Sequence, residues 1–264
     1  MQTKELSAPV STLARKAGAA VMDIYQTDFA IYDKSDNSPL TEADMAAHRV
    51  LTEGLQALTP NIPALSEESS DAIKKERLNW QTFWLIDPLD GTKEFIKKNG
   101  EFTINVALIE NGEPVFGVVY APAIDTLYWG AKGIGAYKES KQGDSQAIAV
   151  AATPKNNTGW QVVGSRSHQS EAFKTFMKRL PEAEIVAMGS SLKLCLVAEG
   201  HADLYPRLSP TCEWDTAAAH AIVMAAGGLV LNLETLKPLT YNQNPNSLLN
   251  PHFIVCPAIS PYWA

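Results

Sequence analysis

Cysteine is scarce in this chain of 264 residues. Cys195, Cys212 and Cys256 are an odd number at spacings that match no thiolate metal pattern, so neither a disulfide scaffold nor a zinc module is expected. They read as reduced thiols of a cytoplasmic protein. Positive charge is also in deficit: 22 Lys and Arg against 29 Asp and Glu leave a formal net charge of −7, the wrong sign for holding a nucleic acid polymer by bulk charge. Long apolar runs are missing as well. The most apolar stretch, Thr216 to Leu233, is split by Gly227-Gly228 and contains His220 and Asn232, so it reads as a helix turning into a strand. Lys4, Glu5, Arg15 and Lys16 interrupt the N-terminal segment, which excludes a signal-peptide core, and no transmembrane segment remains. Internal repeats and low-complexity tracts are absent, and 45% apolar with 19% charged residues suits a packed domain rather than disorder.

What is present is an alternation of helical and strand patterns. Val10, Leu13, Ala14, Ala17, Val21 and Ile24 recur at helical spacing, and Thr41-x-x-Asp44 ahead of Met45, Val50, Leu51 and Leu55 reads as a capping box opening a second helix. Thr82 to Ile86 is apolar on both faces and stops at Asp87-Pro88, as a buried strand delivering a loop should. Phe102 to Ile109, Pro114 to Tyr120 and Thr126 to Trp129 suggest a meander. The polar stretch Lys138 to Asn157 predicts a boundary between two lobes, residues 1–150 and 151–264. Beyond it strands near 161–164 and 184–188 alternate with helices near 171–180 and 191–199. Asp215 then opens an alanine-rich helix, and Leu229 to Leu231 and Phe253 to Val255 return as strands.

Six carboxylates fall where turns or element ends are expected: Asp44, Glu67, Glu68, Asp87, Asp90 and Asp215. Asp87-Pro88-Leu89-Asp90-Gly91-Thr92 follows a buried strand; Pro88 stops the strand from pairing onward, and Gly91 permits a tight turn before Thr92 caps the next segment. Two like charges leaving one strand end repel by roughly 1–4 kcal/mol, so the pair persists with a cation between them or one proton shared. Oxygen donors without His or Cys favour Mg²⁺. Structural readings stand beside each of these. Asp87-Pro88 alone is a strand-ending turn, Asp215 a helix N-cap, Asp44 a capping-box member, and Glu67-Glu68 a solvated pair. A haloacid-dehalogenase-type site requires Asp-x-Asp, and here the spacing is one residue too long. An EF-hand requires alternate acidic positions that this loop lacks.

Taken together, Glu67-Glu68-Ser69, Asp87-Pro88-Leu89-Asp90-Gly91-Thr92 and Trp214-Asp215-Thr216-Ala217 resemble the three motifs of the inositol monophosphatase superfamily, in order and over essentially the whole chain. Lys93-Glu94-Phe95 is similar to the branch acting on 3'(2'),5'-bisphosphate nucleotides. So are Gly164-Ser165-Arg166-Ser167-His168 and Leu204-Tyr205-Pro206-Arg207 leading into Thr211-Cys212-Glu213. The resemblance implies an α/β (α+β) fold, a layered αβαβα sandwich of the sugar phosphatase type, with the site between the lobes. It implies two or three Mg²⁺ per site held by Glu67, Asp87, the Leu89 carbonyl, Asp90 and Asp215, with Asp44 near a further metal or its waters and Glu68 behind. Glu67, Thr92 and Asp44 are the implied catalytic groups, assisting a metal-activated water without a phosphoenzyme.

The implied reaction removes the 3'-phosphate of adenosine 3',5'-bisphosphate to give AMP and phosphate, with the sulfated nucleotide as a second substrate, in sulfur assimilation and nucleotide recycling. Inositol-1-phosphatase activity is the alternative on the same scaffold. Glu67, Leu89, Asp90, Gly91, Thr92 and Asp215 would contact substrate beside Lys193 and Arg207, with Arg166 and His168 as further cations for the second phosphate; Arg207 is the first choice because its fork matches phosphate. A homo-oligomer is compatible with this reading, as is peripheral association with the cytoplasmic face of an inner membrane.

Overall fold

The computed structural model describes residues 3–27, 39–140, 144–164 and 170–264. Two long helices come first, α1 (Thr3–Tyr25) and α2 (Pro39–Leu58). The second begins earlier than a capping box at Thr41 would allow, so Thr41 lies inside it; Pro39 is tolerated because the first-turn N–H it lacks has no intrahelical partner. A seven-stranded sheet follows in sequential order: β1 (Ala64–Ser66), β2 (Thr82–Asp90), β3 (Thr103–Glu110), β4 (Glu113–Ala121), β5 (Thr126–Ala131), β6 (Gly135–Glu139) and β7 (Ser145–Ile148). Only β1 and β2 run parallel; the rest is an antiparallel meander. Short helices α3 (Asp71–Glu76) and α4 (Thr92–Ile96) flank β2. The polar stretch after Lys138 thus still carries sheet. Its strand β7 is an edge strand whose side chains are mostly exposed, which is why it reads as loop from composition.

The remaining elements are β8 (Thr158–Gly164), α5 (Glu171–Met177), β9 (Glu182–Ala187), α6 (Leu192–Ala198), β10 (Tyr205–Arg207), α7 (Ala217–Ala225), β11 (Leu229–Asn232) and β12 (Phe253–Cys256). Strands β8 and β9 pair in parallel, β12 lies between β10 and β11, and a bridge from Val162 to Leu204 joins the two groups.

Strand alternation sorts the core into layers. Trp84 and Ile86 of β2, with Val106 and Val118, pack under Val10, Ala14, Ala47 and Leu51 of α1 and α2. Phe83 and Leu85, with Ala107 and Val119, face α6 and α7 through Leu194, Ala218 and Ile222. Phe253 and Val255 of β12 close that layer from below, while Ile254, Val162 and Trp160 point the other way onto Phe173 and Phe176 of α5. The order is helix, sheet, helix, sheet, helix. Each such large apolar side chain removed from water stabilises by about 1.5–3 kcal/mol. Helix α7 approaches the large sheet so closely that a Cβ on Gly117 would lie 2.1 Å from the Ala218 carbonyl oxygen; only glycine fits. That contact fixes the start of α7, and with it Asp215, against the sheet. Among the described residues no helix is long and apolar enough to cross a membrane.

Candidate active site

Parallel strands end at the same edge of a sheet, and here that edge carries the acids. Ser66 pairs with Ile86, and the Glu67 N–H donates to the Ile86 carbonyl at 3.1 Å, so Glu67 emerges beside Asp87. Asp87 and Asp90 are three apart, which in a regular strand would send them to opposite faces. Pro88 does not end the pairing, contrary to the expectation from sequence; β2 continues to Asp90 with an irregularity. Asp87 pairs with Asn105 and Asp90 with Thr103, so three residue steps on β2 match two on β3. This β-bulge re-aims the strand end, and the Leu89 N–H donates to Asp87 Oδ1 at 3.1 Å across it. The strand-ending turn and the presented carboxylates are therefore one feature.

Gly91 follows with φ +100°, where a Cβ would also press on the Glu101 carbonyl at 3.2 Å. It occupies the cap position of α4, and Thr92 is that helix's first residue rather than its cap, a correction to the sequence expectation. Asp215 likewise is not the N-cap of α7. It closes a 3₁₀ turn (Glu213–Asp215), Thr216 takes the cap position, and Asp215 Oδ2 accepts from the Cys212 N–H at 2.9 Å. Its backbone bond points back into the turn because the helix starts two residues later.

These elements surround a cavity of about 530 Å³. Glu67, Asp87, Leu89, Asp90, Gly91, Thr92 and Asp215 line it, and Lys193 and Arg207 line it as well, together with Lys93 and Lys97 from the start of α4 and the residue after it. Lys193 Nζ donates to the Ser190 carbonyl at 3.0 Å and lies 5.8 Å from the Tyr205 ring centroid. Arg207 Nη2 donates to the Pro210 carbonyl at 3.1 Å, while its Nε is buried without a partner among the described residues. Asp44 and Glu68 are not among the lining residues; Asp44 stands on α2 behind them. Arg166 and His168 lie outside the described residues.

Burial and mutual repulsion dominate the electrostatics. Asp87, 1% exposed, is held well above the usual carboxylate range by desolvation and then by Asp90, Glu67, Asp215 and Asp44. Desolvation, then Asp90, pushes Asp215 up to about 7, and desolvation with Glu68 and Glu67 pushes Asp44 up to about 8. Glu67 is raised by burial, Glu68 and Asp90. Among the described residues no three acidic, His or Cys side chains are drawn together into a finished coordination sphere. The donor set nevertheless suits a hard divalent cation. It is all oxygen, converges on one cavity, and its carboxylates repel one another strongly enough to raise each other's proton affinity.

Three neighbours escaped the sequence reading. Lys74 of α3 donates to the Glu67 carbonyl at 2.6 Å and sits 5.6 Å from the Trp214 ring centroid, pinning the Glu67 loop. Ser190 and Ser191 lie at the start of α6; a Ser-Ser pair before an apolar helix was the available signal, and it reads as a cap rather than as part of a site.

The family model described as the inositol monophosphatase family matches residues 2–256. The chain is 49% identical over 248 residues to the 3'(2'),5'-bisphosphate nucleotidase CysQ of Escherichia coli (strain K12), covering 93% of this chain and 97% of that protein. It is 50% identical to the CysQ of Salmonella typhimurium over the same shares. The crystal structure of CysQ from Bacteroides thetaiotaomicron superposes with a TM-score of 0.85 at 41% identity, covering 97% and 98% of the two chains. An inositol monophosphatase from Zymomonas mobilis shares the fold, with a TM-score of 0.77 at 22% identity over 97% and 94%. With the acidic strand ends, the layered architecture and these relatives in agreement, the chain belongs to the inositol monophosphatase family.

Proposed function

We propose that the chain is a Mg²⁺-dependent 3'(2'),5'-bisphosphate nucleotidase that cleaves the 3'-phosphate of adenosine 3',5'-bisphosphate to AMP and phosphate. The observation that carries this reading is the convergence of Glu67, Asp87, Asp90 and Asp215 on one cavity that Lys193 and Arg207 also line. A dianionic phosphate enters so acidic a pocket only with cations, and a substrate with a second phosphate needs a second, cationic wall. Names of close relatives support the same substrate class.

Glu67, Asp87, the Leu89 carbonyl, Asp90 and Asp215 would hold Mg²⁺. When bound, the ions supply the charge that neutralises the scissile phosphate and make a water a better nucleophile at neutral pH. The chain's own groups do the rest. Glu67 and the Thr92 hydroxyl orient that water, the Glu67 carboxylate takes up its proton, and Asp44, on α2 close enough to Glu67 to feel its charge, passes it on. Gly91 leaves room for the phosphate to approach the backbone. Arg207 and Lys193 exchange their carbonyl contacts for oxygens of the 5'-phosphate, which positions the nucleotide for in-line attack. Hydrolysis of the sulfated nucleotide, a role in sulfur assimilation and a cytoplasmic location belong to the same proposal. So does the division into lobes 1–150 and 151–264, the first giving most of the acids and the second Lys193 and Arg207.

Phosphate release from adenosine 3',5'-bisphosphate, the sulfated nucleotide and inositol 1-phosphate, each with Mg²⁺ and after chelation, tests it. Expected is release from the nucleotides that stops on chelation and returns with Mg²⁺. Faster release from inositol 1-phosphate, or full activity in chelator, overturns it.

A further inference from the structure

Ser191 contacts both acidic segments at once. Its backbone N–H donates to Asp90 Oδ2 at 2.6 Å, and its Oγ lies 2.8 Å from the same oxygen and 2.6 Å from the Asp215 carbonyl. Asn105 of β3 donates through Nδ2 to Ser191 Oγ at 2.9 Å. Ser191 is 1% exposed and Asn105 equally so. A hydroxyl has one proton to give. With the Asn105 amide filling a lone pair of Oγ, that proton is directed to Asp90 Oδ2 or to the Asp215 carbonyl, both reached without leaving the buried hub.

We infer that Ser191 is a positioning residue for the metal centre: its backbone N–H fixes Asp90 by engaging Oδ2, so that Oδ1 is the oxygen left for a cation, and its hydroxyl, whose one proton lies within reach of both that oxygen and the Asp215 carbonyl, keeps the carboxylate beside the turn carrying Asp215. The inference rests on the Mg²⁺ reading of the cavity and deepens it. Asp90 belongs to the large sheet, Asp215 to the turn before α7, and among the described residues it is Ser191 that lies within hydrogen-bond reach of both. Residues 190–193 also carry Lys193, so the segment that clamps Asp90 is the one that offers a cation to the substrate. A carboxylate held on one oxygen loses little freedom when a cation takes the other, which favours binding.

Metal affinity tests this without turnover. Mn²⁺ titrations followed by the EPR signal of the free ion, and Mg²⁺ titrations followed by the thermal unfolding midpoint, are compared for wild type, Ser191→Ala, Ser191→Thr and Asn105→Ala. Ser191→Ala should weaken binding about tenfold or more, the scale of a hydrogen bond to a charged group. Ser191→Thr should restore part of it, and Asn105→Ala, which removes only the donor orienting Oγ, should weaken binding by a smaller factor. At saturating Mg²⁺, Ser191→Ala should regain most of its kcat, which a merely misfolded variant would not. If Ser191→Ala does not fold, Asn105→Ala decides by itself. Wild-type binding with unchanged affinity in the folded variants overturns the role of Ser191 alone, whereas a wild type that binds neither ion overturns the metal reading together with it.

Discussion

Asp87 and Asp90 stand on a strand paired on both sides, by β1 and by β3, whereas Lys193 and Arg207 are long side chains on short elements, leaning on the carbonyls of Ser190 and Pro210. The acids are held by ladder hydrogen bonds and a bulge; moving them means breaking the sheet. The cations are held by single hydrogen bonds that a phosphate oxygen can displace. One wall is preorganised and the other adapts, which suits fixed chemistry on the first and substrate choice on the second.

The sharpest way to break this contrast is Asp90→Asn, which removes charge and almost no volume. It should lower kcat by about 10³-fold or more, since several kcal/mol of transition-state stabilisation are at stake, while thermal unfolding in chelator stays cooperative. A rate near that of the wild type would show that the acidic wall is not where the chemistry occurs. A smaller effect is expected on the adaptable wall. Arg207→Ala should raise KM for the bisphosphate nucleotide about 10- to 100-fold and change kcat little. A substrate without the second phosphate should be turned over as before, and equal losses on both substrates would erase the division of labour.

The smallest effect concerns the scaffold behind both walls. His220 of α7 is 1% exposed; its Nδ1 shares a hydrogen bond of 2.9 Å with the Tyr241 hydroxyl, and Nε2 has no partner among the described residues. Burial lowers its pKa from 6.5 to about 3, so the folded chain keeps it neutral while the unfolded chain takes up a proton. Its contribution to stability is complete above pH 6.5. As pH falls from there to about 3 it is lost, by up to about 1.4 kcal/mol per pH unit. Urea midpoints between pH 7 and 5 should therefore fall less steeply in His220→Gln than in wild type, and parallel curves would show that the imidazole is not held neutral.

Much of this was legible in the chain because the informative residues are adjacent. Asp87 to Thr92 announces a strand end, a turn and a helix start within six positions, and Glu67 and Asp215 sit in equally compact motifs. Helix caps were less legible. Thr41, Thr92 and Asp215 each have capping chemistry, yet none of them is the cap: Thr41 lies inside α2, Thr92 is the first residue of α4 and Thr216 caps α7, because a cap is chosen by where the backbone enters the packed layer rather than by residue type. The edge strand β7 escaped for a related reason, since exposed side chains give it the composition of a loop.

Asn105 and Lys74 had no sequence signal at all, and the signal at Ser191 pointed to a helix cap rather than to a site. Nothing local marks a serine for contact with an aspartate 101 positions earlier. The sequence by itself determined the donor chemistry, the strand that presents it and the family, because carboxylates, prolines and glycines act within a few residues of where they stand. Only the tertiary structure decided which oxygens face the cavity and what holds them there. Those contacts depend on α6 and α7 docking against the large sheet, and short-range hydrogen bonds form only between groups that packing has already brought together.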